Sequence, residues 1–312
     1  MKPSGSERVD LQSASSSGLA RTDWQHYTPT ELERQYNARA TVPDVQVHLD
    51  AYRQASDTER ARCPQVRTLA YGPHPSETLD IFPVPGQRHA PALVFVHGGY
   101  WRALGREDSS FMASALRAQG IATVAIEYAL APTVRLEEIV AQCRRSLQWL
   151  WAQGAEHGVD PTRMVLAGSS AGAHLAAMML SETWRHASGL PERAVQGAVL
   201  VSGLYDLQPV RQCLPNTWLQ LSEAQAEAMS PLCALPAGPT PLCLVVAAQD
   251  TDEFKRQSQI YGHAAAAAGC AVQHLEIAGR NHFDVILDWM QPDSALSQAT
   301  LGLWGSRSAS TA

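Results

Sequence analysis

Apolar positions change their spacing along this chain, and each change predicts a different element. From Thr28 the segment TPTELERQYNARATVP sets apolar residues at helical intervals behind a Thr-x-x-Glu capping signal, which predicts a short helix ahead of the main body. After Cys63-Pro64, VRTLAYG and ETLDIFPV alternate apolar and polar positions on either side of the turn-rich GPHPS. That is the pattern of an antiparallel hairpin at a sheet edge. From residue 92 the strands become largely continuous apolar runs, ALVFVHGG, IATVAIEY, RMVLAGSS, AVQGAVLV and PLCLVVAAQD, and a further strand, VQHLEIAG, follows them. Amphipathic stretches separate them, among them SSFMASALRAQG, RLEEIVAQCRRSLQWLWAQGAEHG, AGAHLAAMMLSETW and DEFKRQSQIYGHAAAAAG. Strands without a polar face need cover on both sides, so the expected class is α/β: a mostly parallel central sheet, helices on both faces and an antiparallel N-terminal edge.

The same pattern divides the chain. Residues 1–22 read as a flexible Ser-rich tail, 23–63 as a helical extension packing on the main domain, 64–304 as that domain and 305–312 as a second tail. HFDVILDWMQ is expected to be the last helix. The longest interruption of the βα alternation, 208–240, contains several prolines and is placed where a small lid over the strand ends would sit. Its segment LPNTWLQLSEAQAEAMSPL is too polar to serve as the apolar lid of a lipase activated at interfaces.

Composition narrows the partners. Of 312 residues 45% are hydrophobic and 17% charged, with a formal net charge of −6. A chain of this kind buries a substantial core, and its scattered basic residues form no stripe for nucleic acid or an anionic membrane. Cys63, Cys143, Cys213, Cys233, Cys243 and Cys270 lie far apart without CxxC pairing, which suits reduced thiols in the cytoplasm rather than a zinc site or a disulfide framework. The N-terminus has no apolar core of a signal peptide, and no apolar run approaches the length of about 18 residues of a membrane span. A soluble cytoplasmic protein is expected, for which a homodimer would be an ordinary assembly.

The chemistry begins with MVLAGSSAGAHL. Gly168-Ser169-Ser170-Ala171-Gly172 is a GxSxG sequence lying between a predicted strand and a predicted helix, the context in which glycines let the chain turn sharply and expose a serine. A serine hydroxyl is a poor nucleophile unless an imidazole takes its proton and a carboxylate orients that imidazole. In a strand-turn-helix arrangement of this kind the acid and then the histidine follow the serine in the chain. Asp250 ends LCLVVAAQD and His282 follows HLEIAG, both at strand ends. His97, His157 and His174 are expected to orient a loop or to pack, His186 precedes the preferred acid, and His263 and His274 fall inside a helix and at the start of a strand. For the acid, Asp206 in LYDL and Asp252, a helix-capping candidate, remain alternatives to Asp250.

Acyl transfer creates an oxyanion that needs backbone donors. The N–H of Ala171 and the glycine pair Gly98 and Gly99 of LVFVHGGYW are the candidates, because a side chain on that loop would hold the backbone away from the substrate oxygen. Tyr100 and Trp101 offer an aromatic wall for a substrate, or they fasten the loop to the domain. Arg102 and Arg280 are the cations placed to meet a substrate carboxylate.

HGGYW, AGSSAGAHLA, VSGLYDLQPV, DTDEFKRQS and GRNHFDVI, in this order and together with LERQYNAR and YGPHPSETLDIF, resemble the arylformamidase (kynurenine formamidase) branch of the α/β-hydrolases, which is related to hormone-sensitive-lipase-type esterases. The similarity spans roughly residues 27–290. It implies an α/β-hydrolase fold with Ser170 as nucleophile, Asp250 as acid, His282 as base and Gly98 and Gly99 in the oxyanion hole. It further implies hydrolysis of N-formylkynurenine to kynurenine and formate, activity on small aryl and short-chain esters, and neither metal nor organic cofactor. The family elbow is commonly GHSAGAHL; Ser169 stands here where that pattern has His, which alters the pocket beside the nucleophile. A general short-chain carboxylesterase is the alternative, and a ligand-binding protein without catalysis on the same fold is a third reading that the presence of both Ser170 and His282 disfavours.

Overall fold

The computed structural model describes residue 21 and residues 23–191, 194–236 and 238–305. The expected tails, 1–22 and 305–312, lie outside these residues except for Arg21 and Gly305.

Strands β1 (Arg67–Ala70), β2 (Thr78–Phe82), β3 (Ala90–Val96), β4 (Ala122–Ile126), β5 (Val159–Ser169), β6 (Val195–Val201), β7 (Pro241–Ala247) and β8 (Ala271–Ile277) form one sheet in the order β1-β2-β4-β3-β5-β6-β7-β8. β2 is antiparallel to both neighbours, and every other pairing is parallel. The antiparallel edge and the parallel body therefore stand as the apolar pattern predicts.

The helices are α1 (Pro29–Tyr36), α2 (Val45–Arg62), α3 (Ala113–Ala118), α4 (Leu136–Gln153), α5 (Ala171–Met179), α6 (Glu182–Ser188), α7 (Asn216–Leu219), α8 (Glu223–Ala228), α9 (Asp252–Ala267) and α10 (Ala295–Gly305). Alternate residues of β3, β5, β6 and β7 enter opposite cores, as the two-residue period requires. Val94, Val96, Leu166, Leu200 and Leu244 pack with side chains of α1, α4, α5 and α9; Leu93, Phe95, Val165, Val199 and Val245 pack with α2, α3 and α10. Thr28 caps α1 with the expected reciprocal pair: the Glu31 N–H donates to its hydroxyl at 3.3 Å, and its own N–H donates to the Glu31 carboxylate at 2.8 Å.

One helix of the expected helical extension carries no periodic signal of its own, and the expected last helix differs. α2 runs for 18 residues but buries only Tyr52, Ser56 and Glu59, too thin a stripe to read as a periodic apolar face. At the other end, Asp284–Met290 is a 3₁₀ helix, and α10 follows it as the true terminal helix. Ser297 and Thr300 lie on the buried face of α10, and Trp289 Nε1 donates to Thr300 Oγ1 at 2.8 Å. Polar residues that find partners inside the protein hide the helical period.

Candidate active site

Ser170 stands between β5 and α5 with φ +55° and ψ −119°, a left-handed conformation that costs a non-glycine residue on the order of 1–3 kcal/mol and persists only where its surroundings impose it. The surroundings are backbone. A Cβ at Gly172 would fall 2.0 Å from the Val96 carbonyl oxygen, and one at Gly168 2.3 Å from the Gly172 carbonyl oxygen, so the elbow closes only with glycine at both places. The turn leaves Ser170 facing a cavity at the N-terminus of α5, where the Ala171 N–H has no preceding helical carbonyl to bind.

Asp250 and His282 follow β7 and β8. His282 Nδ1 lies 2.7 Å from Asp250 Oδ1, and both residues are buried. The second carboxylate oxygen accepts from Ser202 Oγ at 2.6 Å and from the Ala247 N–H at 2.8 Å. Burial alone would raise the Asp250 carboxyl, but His282 beside it and these donors outweigh burial and hold it below the ordinary carboxylate value. With Nδ1 engaged, Nε2 is the nitrogen His282 has left for the cavity, which Ser170 also lines. Phe254 packs on the imidazole at 4.4 Å between centroids.

The loop after β3 is held from below. His97 stacks on Tyr128 at 4.1 Å, its Nε2 lies 3.3 Å from Glu127, and the Tyr128 hydroxyl donates to the His97 carbonyl at 2.9 Å. His97 thus orients the loop, and Gly98 and Gly99 line the cavity beside Ser170. Gly99 has φ +96°, and a Cβ there would lie 2.2 Å from the Ala103 carbonyl oxygen.

Tyr100 and Trp101 separate. Tyr100 lines the cavity, while Trp101 is wholly buried and does not. Its Nε1 lies 3.2 Å from His174 Nδ1, and His174 Nε2 lies 2.8 Å from the Met229 carbonyl. Trp101 therefore fastens the loop and offers no surface to a ligand, which corrects its reading as a substrate-binding residue. Burial lowers His174 to about 4, so it is the neutral ring that accepts from the indole. Arg280 pairs with Asp288 at 2.6 Å and lies outside the cavity lining, whereas Arg102 lines the cavity with its guanidinium 4.3 Å from the Trp218 ring centre.

The other acids and histidines are engaged elsewhere. Asp206 accepts from Arg21 Nε at 3.3 Å and from the Gln208 N–H at 3.1 Å, and Asp252 lies in the first turn of α9. His157 stacks on Trp149, and His186 lies 3.6 Å from Glu182.

The cavity has a volume of about 260 Å³ and a roof drawn from two segments, whose individual residues the sequence reading did not single out. Glu33, Asn37, Arg39, Leu49 and Tyr52 reach it from the N-terminal segment, and Leu214, Pro215 and Trp218 from the 208–240 excursion. The N-terminal segment also holds the loops of the site. Tyr100 donates its hydroxyl to the Tyr36 carbonyl, Thr251 Oγ1 donates to the Gln35 carbonyl at 2.6 Å, and Tyr52 donates to the carbonyl of Phe283, next to His282. Asp108 lines the far wall, raised by burial although Arg53 stands 2.9 Å away.

A serine on a strained elbow, a carboxylate-bound imidazole, a glycine loop and a helix N-terminus around one cavity form a set suited to acyl transfer. Comparison with known proteins agrees. An α/β-hydrolase-fold family matches residues 93–285. The kynurenine formamidase of Salmo salar is 32% identical over 295 residues, covering 90% of this chain and 98% of its own. A solved protein from Silicibacter sp. TM1040, provisionally described as a thioesterase, superposes with a TM-score of 0.76 at 26% identity over 86% of this chain and 98% of its own. The carboxylesterase EstE1 from a metagenomic library shares the fold at a TM-score of 0.68 and 22% identity, over 89% of this chain and 97% of its own.

Proposed function

The chain belongs to the kynurenine formamidase branch of the α/β-hydrolase family, and from that premise we propose that this hydrolase cleaves aryl formamides through an acyl-enzyme on Ser170, with N-formylkynurenine as its substrate. The observation that carries the site assignment is the 2.7 Å contact between Asp250 Oδ1 and His282 Nδ1, beside a cavity shared by His282 and Ser170. In this reading His282 Nε2 takes the Ser170 proton as Oγ attacks the formyl carbon. The oxyanion faces the N–H groups of Gly98, Gly99 and Ala171. As the C–N bond breaks, His282 returns the proton to the departing aryl amine; water, deprotonated by the same ring, then releases formate and restores Ser170. The Tyr100 ring is the wall for the aryl group.

The domain reading goes with this chemistry: 64–304 as the catalytic domain, 23–63 as an extension that roofs it and 208–240 as a small insertion at its mouth. The six cysteines are free, which suits the cytoplasmic setting proposed for it. No helix among the described residues is long and apolar enough to cross a membrane.

The alternative is a short-chain carboxylesterase, favoured by the apolar depth of the cavity, where Phe95, Leu104, Phe111 and Ile286 leave room for an acyl group longer than formyl. Steady-state rates on N-formylkynurenine and on p-nitrophenyl esters of increasing acyl length decide between them. A tenfold or greater preference for longer esters would discard the formamidase reading. Ser170→Ala is expected to lower turnover about a millionfold, and retention of activity by that variant would remove the serine mechanism altogether.

A further inference from the structure

Ser202 takes no part in the mechanism above, yet it repeats the geometry of Ser170 one strand away. It follows β6 with φ +48°, against +55° at Ser170. Each serine sends its backbone N–H sideways to the next strand: Ser170 to the Val201 carbonyl at 2.8 Å, Ser202 to the Val245 carbonyl at 2.7 Å. Their side chains then part. Ser170 lines the cavity, while Ser202 is wholly buried and donates Oγ to Asp250 Oδ2 at 2.6 Å.

A carboxylate tied only at the oxygen that meets His282 can still turn about its Cβ–Cγ bond. Two donors on Oδ2, the Ser202 hydroxyl and the Ala247 N–H, fix the carboxylate plane and leave Oδ1 aimed at Nδ1. A left-handed serine is a strained choice for the end of a strand, and such strain is retained where neighbouring structure imposes it. Here the hydroxyl and the N–H of one residue are both committed.

We propose that Ser202 is a positioning residue for the triad, its hydroxyl fixing the plane of Asp250 while its strand end, through the Val201 carbonyl, anchors the Ser170 elbow. The inference rests on the assignment of Ser170, Asp250 and His282 above. Other charged groups around the pair are engaged elsewhere: Glu253 with Tyr36 and Arg256, Lys255 with the Ala248 carbonyl and Glu276, and Asp284 with the Asn281 N–H. Ser202 and Ala247 are thus the donors that set the carboxylate from the side opposite His282.

The test is a pair of variants on the full chain, Ser202→Ala and Ser202→Gly, assayed on a neutral p-nitrophenyl ester over a pH series. Glycine relieves the left-handed backbone but, like alanine, lacks the hydroxyl. Both are expected to lose about tenfold in kcat, the scale of one hydrogen bond to a charged group, with KM within twofold. The acid limb of kcat/KM should move up by about half a pH unit, because a carboxylate short of one donor holds the imidazolium proton more firmly. Ser202→Gly with the parent kcat and an unmoved acid limb would overturn the proposal, whatever the state of the alanine variant, since backbone geometry would then be all that Ser202 supplies. Ser170→Ala run alongside separates the two failures: activity in that variant sinks the underlying mechanism, whereas an inert Ser170→Ala beside an unimpaired Ser202→Gly sinks only the role of Ser202.

Discussion

The floor and the roof of the cavity are built on different principles. Every candidate catalytic group of the floor lies within a few residues of the C-terminal end of a strand: Gly98 and Gly99 after β3, Ser170 after β5, Asp250 after β7 and His282 after β8. Parallel pairing sets those ends side by side, and buried hydrogen bonds of 2.6 to 2.8 Å set the Asp250 carboxylate that they share. The roof is assembled from residues far away in the chain, held by hydrogen bonds such as Thr251 to Gln35 across 216 positions and Tyr36 to Glu253 across 217. In the proposed mechanism the sheet supplies the reacting groups, and a remote segment shapes the access to them.

Substitutions of graded effect can break that division. His282→Ala should cost about a millionfold in kcat and Asp250→Asn about ten-thousandfold, with unchanged folding by circular dichroism; a loss under a hundredfold for either would mean that the floor does not work as a unit. Gly99→Ala is expected to lower kcat by a hundred- to a thousandfold, about 3 to 4 kcal/mol, because the new Cβ meets the Ala103 carbonyl and moves the loop donors.

Acid should loosen the floor through His174, which holds Trp101. Its folded-state value of about 4 lies below that of a free imidazole, so its contribution is complete above pH ~6.5 and is lost as the pH falls towards 4. Denaturant melts across that window should show a decline on the order of 3 kcal/mol, and a flat curve there would contradict it.

Roof changes should be milder. Tyr36→Phe removes a hydroxyl that donates to Glu253 at 2.7 Å and accepts from Gln257 at 2.8 Å, but it keeps the carbonyl that Tyr100 uses. A stability loss of about 1–3 kcal/mol with kcat changed less than about threefold is the expected pattern. The smallest effect belongs to Arg102→Ala. It should raise KM for carboxylate-bearing substrates by about three- to tenfold and leave neutral esters unaffected, the scale of an exposed ion pair. An equal change for both substrate types would show that Arg102 acts by shape alone.

The floor was legible in the sequence because its grammar is local. A strand period of continuous apolar residues, a glycine-rich turn and a helix start occupy one short window around Ser170, and Asp250 and His282 are located by the same rule of strand ends. Trp101 marks where that grammar stops. Its position after two glycines is the same for a ring that faces substrate and for one that faces the core, and only the distant partner His174 separates the two. Ser202 was invisible for a related reason: a serine after a strand is common, and its role comes from a carboxylate 48 positions later. The roof residues between 33 and 52 carry no chemical signature at all, since their function comes entirely from where α9 and the loop after β3 meet them.

The clasp between α1 and α9 also sets an order of events during synthesis. Tyr36 finds Glu253 only across 217 positions, so the apolar face of α1, including Leu32, emerges from the ribosome long before the helix that covers it exists. Long-range closure of this kind is slow, and it leaves apolar surface uncovered in the meantime. A nascent chain can complete most of its sheet and still have no roof; competence arrives with the last third of the polypeptide.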